Sequence, residues 1–326
     1  TLTVGAKALT ITGSSAAGRD YDGTTGATIT VGTLSGFVGS ETLTATAVGT
    51  FDSANAGSRT ATAVYTLANG SNGGLASNYT LADTTHSATI SAKALTISGL
   101  SSAEKVYDGT TFAVVSGSAS LQPAVSVGSG NNADGKAYLG DDVTLMGTPV
   151  GNFNSKDVAS ATTVNFTGLS LTGDDAGNYT LTPHVGVAQA ITPATLIASA
   201  NNDAKFVLQA DPTFTVSVSG FVNGETAANA AGFTNPTVGR TNSNLNTAAG
   251  TYSGVLVANG GSADNYVFSY NSGDFTIVPS NQLLVRLNNL SETYGSTTQY
   301  SISSVEYENG GIVYRLDNGS VSGSLV

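Results

Sequence analysis

Short runs in which apolar and polar residues alternate fill most of the chain. Thr42–Val48 (TLTATAV), Thr60–Leu67 (TATAVYTL) and Phe214–Ser219 (FTVSVS) place every second residue on one face and are rich in β-branched side chains. A period of two is the mark of half-buried strands. Clusters of Gly, Asn, Asp and Ser separate the runs and supply turns. One segment departs from this pattern: Glu225–Gly232 (ETAANAAG) predicts a helical turn or two. Strands at short spacing joined by turns predict an all-β protein built of small, Ig-like β-sandwich modules. A β-grasp-like module with a short helix satisfies the same pattern.

The runs repeat. AKALTI occurs at Ala6–Ile11 and Ala92–Ile97, and YDGTT at Tyr21–Thr25 and Tyr107–Thr111, both 86 residues apart. VGTFDS at Val48–Ser53 returns as VGNFNS at Val150–Ser155, and NYTL at Asn78–Leu81 returns at Asn178–Leu181. There the shift has grown to 100–102 residues, which places an inserted loop within 116–139. A more distant copy follows. SGFV at Ser219–Val222 repeats Ser35–Val38, each ahead of a Glu-Thr pair (Glu41–Thr42, Glu225–Thr226), and Asn265–Tyr266 replaces the earlier Asn-Tyr pairs. A fourth copy opens at Gln282. Such self-similarity is the signature of tandem modules, here 1–91, 92–192, 193–279 and a partial one at 280–326.

The joints lack Gly/Ser linkers, and Pro193 and Pro279 restrict the backbone at two of them; a semi-rigid, end-to-end rod is expected. The chain is expected to be a fragment of a longer protein. No N-terminal export signal is expected within it, because residues 1–12 lack a basic segment followed by an apolar core.

Charge narrows the function. Eleven basic residues against 22 acidic ones give a net charge of −11, and the basic residues are scattered singly. A nucleic-acid binder needs them clustered, so neither nucleic acid nor an anionic membrane is an expected partner. No apolar stretch approaches the roughly 18–20 residues of a membrane helix. The 326 residues contain no Cys, so thiolate catalysis and thiolate metal sites are excluded. The fragment is expected to be monomeric.

Candidate chemistry is sparse. The two histidines, His86 and His184, occupy non-equivalent positions and are expected to be solvated strand-edge residues. Asp141–Asp142 and Asp174–Asp175 are the adjacent carboxylate pairs, but neighbours on a strand point to opposite faces, so adjacency makes no acid–base site. No catalytic residue and no enzyme activity is expected.

A calcium site could draw on Asp174, Asp175 and Asn178, since Ca²⁺ takes carboxylate and amide oxygens. The same residues suit an Asx-turn ahead of Tyr179, and no other cofactor is suggested. The inserted segment offers Asn131, Asn132, Asp134, Lys136 and Tyr138 as contacts for sugar hydroxyls, on the reasoning that loops on rigid scaffolds often carry function. Tyr21, Asp22, Gly23 and their copies Tyr107, Asp108 and Gly109 read as a structural turn. The Asp bonds turn amides, the Gly supplies positive φ, and the Tyr buries its ring with a wet hydroxyl. Lys7, Lys93 and Lys105 raise an isopeptide crosslink, against the simpler reading of outward-facing edge lysines.

The KALTI strand (Lys7, Lys93), the YDGTT segments and the NYTL segments together resemble the YDG domain. DPTFTVSVSG (Asp211–Gly220) and NGET (Asn223–Thr226) resemble the MBG type of mainly bacterial, glycine-rich module, although Phe206–Val207 replaces its usual Tyr-Gly. The resemblance implies a place in large, filamentous-haemagglutinin-like exoproteins of Gram-negative bacteria, secreted or surface-displayed, with two-partner secretion among the routes. It implies stalk or spacer repeats of an adhesin active in adhesion, aggregation or biofilm. The alternative is that the modules themselves bind exopolysaccharide. An extracellular polysaccharide or a cell-surface ligand of the parent protein is the implied partner.

Overall fold

The structure, a computed structural model, describes residues 3–128, 133–241, 243, 248–288 and 301–316. It is all-β, as the alternating pattern predicts: among the described residues two 3₁₀ turns, Ala76–Asn78 and Ala176–Asn178, interrupt an otherwise strand-and-turn pattern. Among the described residues no helix is long and apolar enough to cross a membrane. The chain divides into two compact units. Unit one comprises residues 1–103, 112–154 and 163–189; unit two comprises 104–111, 155–162 and 190–326. The units therefore do not follow the sequence repeats.

In unit one, Lys7–Thr12 lies between Thr33–Ser35, antiparallel, and Tyr79–Leu81, parallel. A second sheet is ordered Arg19–Asp20, Thr84–Ser91, Gly57–Asn69, Leu43–Phe51, Gly26–Ala27. The TATAVYTL run sits in its central strand, and Ala61 and Ala63 are fully buried while Thr60 and Thr62 face away. Leu9, Leu43 and Tyr79 pack between the sheets with Leu34, Phe37 and Leu67.

The second repeat contributes the parallel pair Lys93–Leu95 with Tyr179–Leu181, and a sheet ordered Phe112–Ala113, Thr144–Phe153, Thr163–Thr172, His184–Ala188. The inserted segment is only partly loop. Val115–Val125 is a strand antiparallel to Ile97–Ser102, and Lys136–Tyr138 pairs parallel to it. The apolar positions Leu121, Val125, Ala137 and Tyr138 pull the insertion onto the core. That core joins Tyr21, Phe51, Ala61 and Ile90 of the first repeat to Leu95, Ala137, Tyr138 and Tyr179 of the second.

Unit two repeats the plan. Ala194–Ala200 lies between Val216–Ser219, antiparallel, and Tyr266–Asn271, parallel. The companion sheet is ordered Asp203–Phe206, Gly273–Val278, Gly250–Asn259, Thr237–Arg240. Lys105–Val106 pairs parallel with Ile191–Thr192 within this unit. Glu225–Gly232 forms a single helical turn, with the Ala230 amide donating to Thr226 O at 2.9 Å. Leu283–Leu287, Ile302–Asn309 and Ile312–Leu316 form a final three-stranded sheet. Its Leu284 packs on Phe206 and Val278.

Candidate functional site

The YDGTT segments are Asx-turns. Asp22 Oδ1 accepts the Thr24 amide at 2.8 Å and the Thr24 hydroxyl at 2.8 Å; Asp108 Oδ1 accepts the Thr110 amide at 2.9 Å and its hydroxyl at 2.8 Å. A cation braces each turn. Arg19 holds Asp22 and the Thr24 carbonyl, and Lys105 Nζ reaches Asp108 at 2.8 Å and Thr110 O at 2.9 Å. Burial works against the Asp108 charge, but Lys105 and the Thr110 amide outweigh it and keep its carboxyl below the ordinary range. Gly23 and Gly109 have φ of 74° and 76°, as such turns require.

The turns aim their tyrosines at the following repeat. Tyr21 meets Tyr179 edge to face, centroids 5.4 Å apart at 81°, and Tyr107 meets Tyr266 at 5.4 Å and 80°. In each pair both phenols donate to one carboxylate. Tyr21 (2.9 Å) and Tyr179 (2.6 Å) share Oδ2 of Asp141. Tyr107 donates to Glu225 Oε1 at 2.7 Å and Tyr266 to Oε2 at 2.5 Å. The hydroxyls are therefore not wet, and Tyr21 and Tyr107 are 3% and 2% exposed.

The second tyrosine of each pair also accepts a backbone amide: Tyr138 N to Tyr179 at 2.9 Å, and Val222 N to Tyr266 at 3.2 Å. The donor of that amide begins a four-residue turn that ends at the carboxylate, closed by Asp141 N to Tyr138 O and Glu225 N to Val222 O.

Burial and then the carboxylate raise the phenols. Tyr266 is pushed up to about 12, and Tyr21, Tyr107 and Tyr179 also rise. Burial disfavours a phenolate, and a hydrogen-bonded anion beside it disfavours it further.

The Asn ahead of Tyr179 and the Asn ahead of Tyr266 each make a second lock on the preceding repeat. Asn178 Oδ1 accepts the Ala56 amide at 2.9 Å and its Nδ2 donates to Asn55 Oδ1 at 3.3 Å. Asn265 Oδ1 accepts the Val158 amide at 2.8 Å and its Nδ2 donates to Asp157 Oδ1 at 2.9 Å. Both are buried, at 3% and 2% exposure. These loops are the FDS and FNS copies, so residues alike in sequence do alike work at two seams.

Other candidate residues serve the fold. Tyr138 is 3% exposed, and Asp134 pairs with the buried Lys93 at 2.6 Å and accepts the Lys136 amide at 2.9 Å. Asp134 and Tyr138 are thus not free sugar contacts. Asn131 and Asn132 lie outside the described residues, and Lys136 is half-buried on its strand. Lys93 points inward, its ammonium 4.5 Å from the Tyr138 ring centroid, which corrects its reading as an edge lysine.

Asp175 and Asp174 close a turn with Asp142. The Asp142 amide donates to Asp175 Oδ2 at 2.9 Å and the Asp174 amide to Asp142 Oδ2 at 3.3 Å, while Asn178 is turned toward Asn55 and Ala56. Among the described residues no group of three or more His, Asp or Glu is placed to hold a metal ion.

Neither histidine is a fully solvated edge residue. His86 Nε2 lies 2.7 Å from the Thr84 hydroxyl and 3.2 Å from that of Ser14, and His184 lies against Phe166 with centroids 5.5 Å apart.

The seam carboxylates escaped the sequence reading. Glu225 was visible there only as half of a recurring Glu-Thr pair, and Asp141 as one of an adjacent pair of acids. The available signal was the same three-residue step from Tyr138 to Asp141 and from Val222 to Glu225.

Among curated proteins none matches the chain. Residues 5–86 and 91–186 each match the YDG domain, and residues 196–276 match the MBG domain (YGX type). The tyrosine that meets the neighbouring repeat is the tyrosine of the first domain's signature, and the chain belongs to the YDG-domain family, two such domains being followed by an MBG domain.

Proposed function

We propose that these domains are non-catalytic spacer repeats of a large secreted or surface-displayed adhesin of a Gram-negative bacterium. In that role they carry a binding region of the parent protein away from the cell during adhesion, aggregation or biofilm growth. The observation that supports this reading is the repeated seam. Tyr21 with Tyr179 on Asp141, and Tyr107 with Tyr266 on Glu225, spend the most recognisable residues of the family on fastening one repeat to the next. A buried, charge-assisted contact of this kind stiffens a joint where a Gly/Ser linker would leave it loose. The net charge of −11 supports an extracellular role without nucleic acid, and it keeps a β-rich chain self-repelling and soluble.

Small-angle scattering tests the spacer reading. An extended particle whose length falls when the Asp141 and Glu225 seams are both neutralised agrees with it, and a compact globule refutes it. Glycan-array binding abolished by replacing Asn131, Asn132 and Lys136 together would favour the second reading, direct recognition of exopolysaccharide. Turnover of any glycan would defeat both.

A further inference from the structure

The first YDG domain carries its own copy of the seam acceptor. The Tyr79 hydroxyl donates to Glu41 Oε2 at 2.5 Å and accepts the Val38 amide at 2.9 Å, and Glu41 N closes the turn on Val38 O at 3.2 Å. This is the arrangement of Tyr266, Val222 and Glu225 residue for residue. At Glu225, Tyr107 fills the other carboxylate oxygen. At Glu41 no residue among those described does so. Asn78, counterpart of the buried Asn178 and Asn265, is solvent-exposed; Val38 is 55% exposed, whereas its counterpart Tyr138 is 3% exposed. Lys7, Val38, Glu41, Asn78 and Tyr79 line an open cleft at this place.

We propose that this cleft is a docking socket for the Tyr-Asp-Gly turn of another YDG domain joined ahead of it. The incoming tyrosine would donate to Glu41 and stand edge-on to Tyr79, and Asn78 would accept a backbone amide from the visitor's F-D-S loop. The occupant is specified by chemistry: a buried phenol for the carboxylate, and a backbone N–H and a side-chain acceptor for the amide. A second copy of this chain is a poor donor, because its Tyr21 and Tyr107 are already held by Asp141 and Glu225. This inference stands on the seam geometry and not on the spacer role.

The test is a chain extended by a second copy of residues 1–91, its Ser91 joined to Ala6 of the whole chain. The Ser-Ala-Lys joint found at Ser91–Lys93 is thereby reproduced. Amide hydrogen exchange is then followed by mass spectrometry. The added copy is isotopically labelled by segmental ligation, so that its peptides differ in mass. In the extended chain, residues 37–41 and 77–79 of the original copy should exchange about tenfold more slowly than in the chain without the addition, since a docked segment exchanges through opening of the seam. Residues 52–57 of the added copy should be as protected as the same loop of the original copy, which Asn178 already holds.

Asn78→Ala in the original copy should remove the protection at 52–57. Asn78 is exposed, so this variant keeps the fold, and Tyr21→Phe in the added copy gives an independent check by lowering the protection at 37–41. Unchanged exchange on extension, or protection indifferent to both substitutions, overturns the proposal. So does protection of 37–41 in the unextended chain that rises with protein concentration, which would make a second copy the occupant. Failure here leaves the two internal seams, and the spacer reading, untouched.

Discussion

Tyr21 and Tyr179 come from different repeats, meet edge to face at 5.4 Å and donate to the same oxygen of Asp141. One carboxylate thus satisfies two buried phenols, and removing it strands both. Asp141→Asn keeps the shape but offers a neutral, weaker acceptor. We expect it to lower the stability of unit one by about 1.5–3 kcal/mol, the range for hydrogen bonds to a charged group. The check is the urea midpoint followed by circular dichroism, with Asp142→Asn as a neighbour that should cost less because its turn is exposed.

High pH should open the seams. The Tyr266 phenol titrates near 12 in the folded chain against about 10 when unfolded, so its folded value is the higher. Its contribution is therefore complete below pH 10 and is lost as the pH climbs through about 12. Phenolate absorbance and circular dichroism, recorded together, should show a late group of tyrosines ionising as unit two unfolds. Tyr266→Phe should remove part of that late ionisation.

Gly109→Ala and Gly23→Ala should both destabilise, and the first more. Each glycine has positive φ, which costs an L-residue roughly 1–2 kcal/mol. A methyl on Gly109 would also lie 2.6 Å from Asn223 Cβ, whereas on Gly23 it would lie 3.0 Å from a Val127 methyl. Thermal midpoints of the two variants rank them, and equal shifts would count against the close approach at Asn223.

Lys93 and Asp134 should respond unequally to truncation. The Lys93 side chain is 0% exposed and that of Asp134 19%. Asp134→Ala leaves a buried ammonium without its counter-ion, at a cost of about 3–5 kcal/mol, whereas Lys93→Met leaves a carboxylate that can still reach water. Chemical denaturation should find the aspartate variant clearly the less stable.

The strands and repeats were legible because each rests on local residues. The TATAVYTL run becomes the centre of a sheet, and KALTI and NYTL pair with one another in both YDG domains. The Asx-turn within YDGTT was legible for the same reason. The destination of its tyrosine was not, because the acceptor is Asp in one repeat and Glu in the others, and lies far off in sequence. The insertion misled in the opposite direction: Gly, Asn and Ser dominate its middle, but Val115–Val125 and Lys136–Tyr138 carry enough apolar positions to form strands. Lys93 reads as a surface lysine until the carboxylate folded over it is known.

One core cluster has Ile90 on one side of the repeat boundary and Leu95 on the other. A polypeptide ending at Ser91 would leave Tyr21, Phe51 and Ile90 without their covering side chains, so the period of the sequence is not the period of folding. Stability in such an array follows a nearest-neighbour law, in which each added copy contributes an interface as well as itself. Lengthening the array by duplication would then harden it, and trimming one copy would weaken the one left at the end.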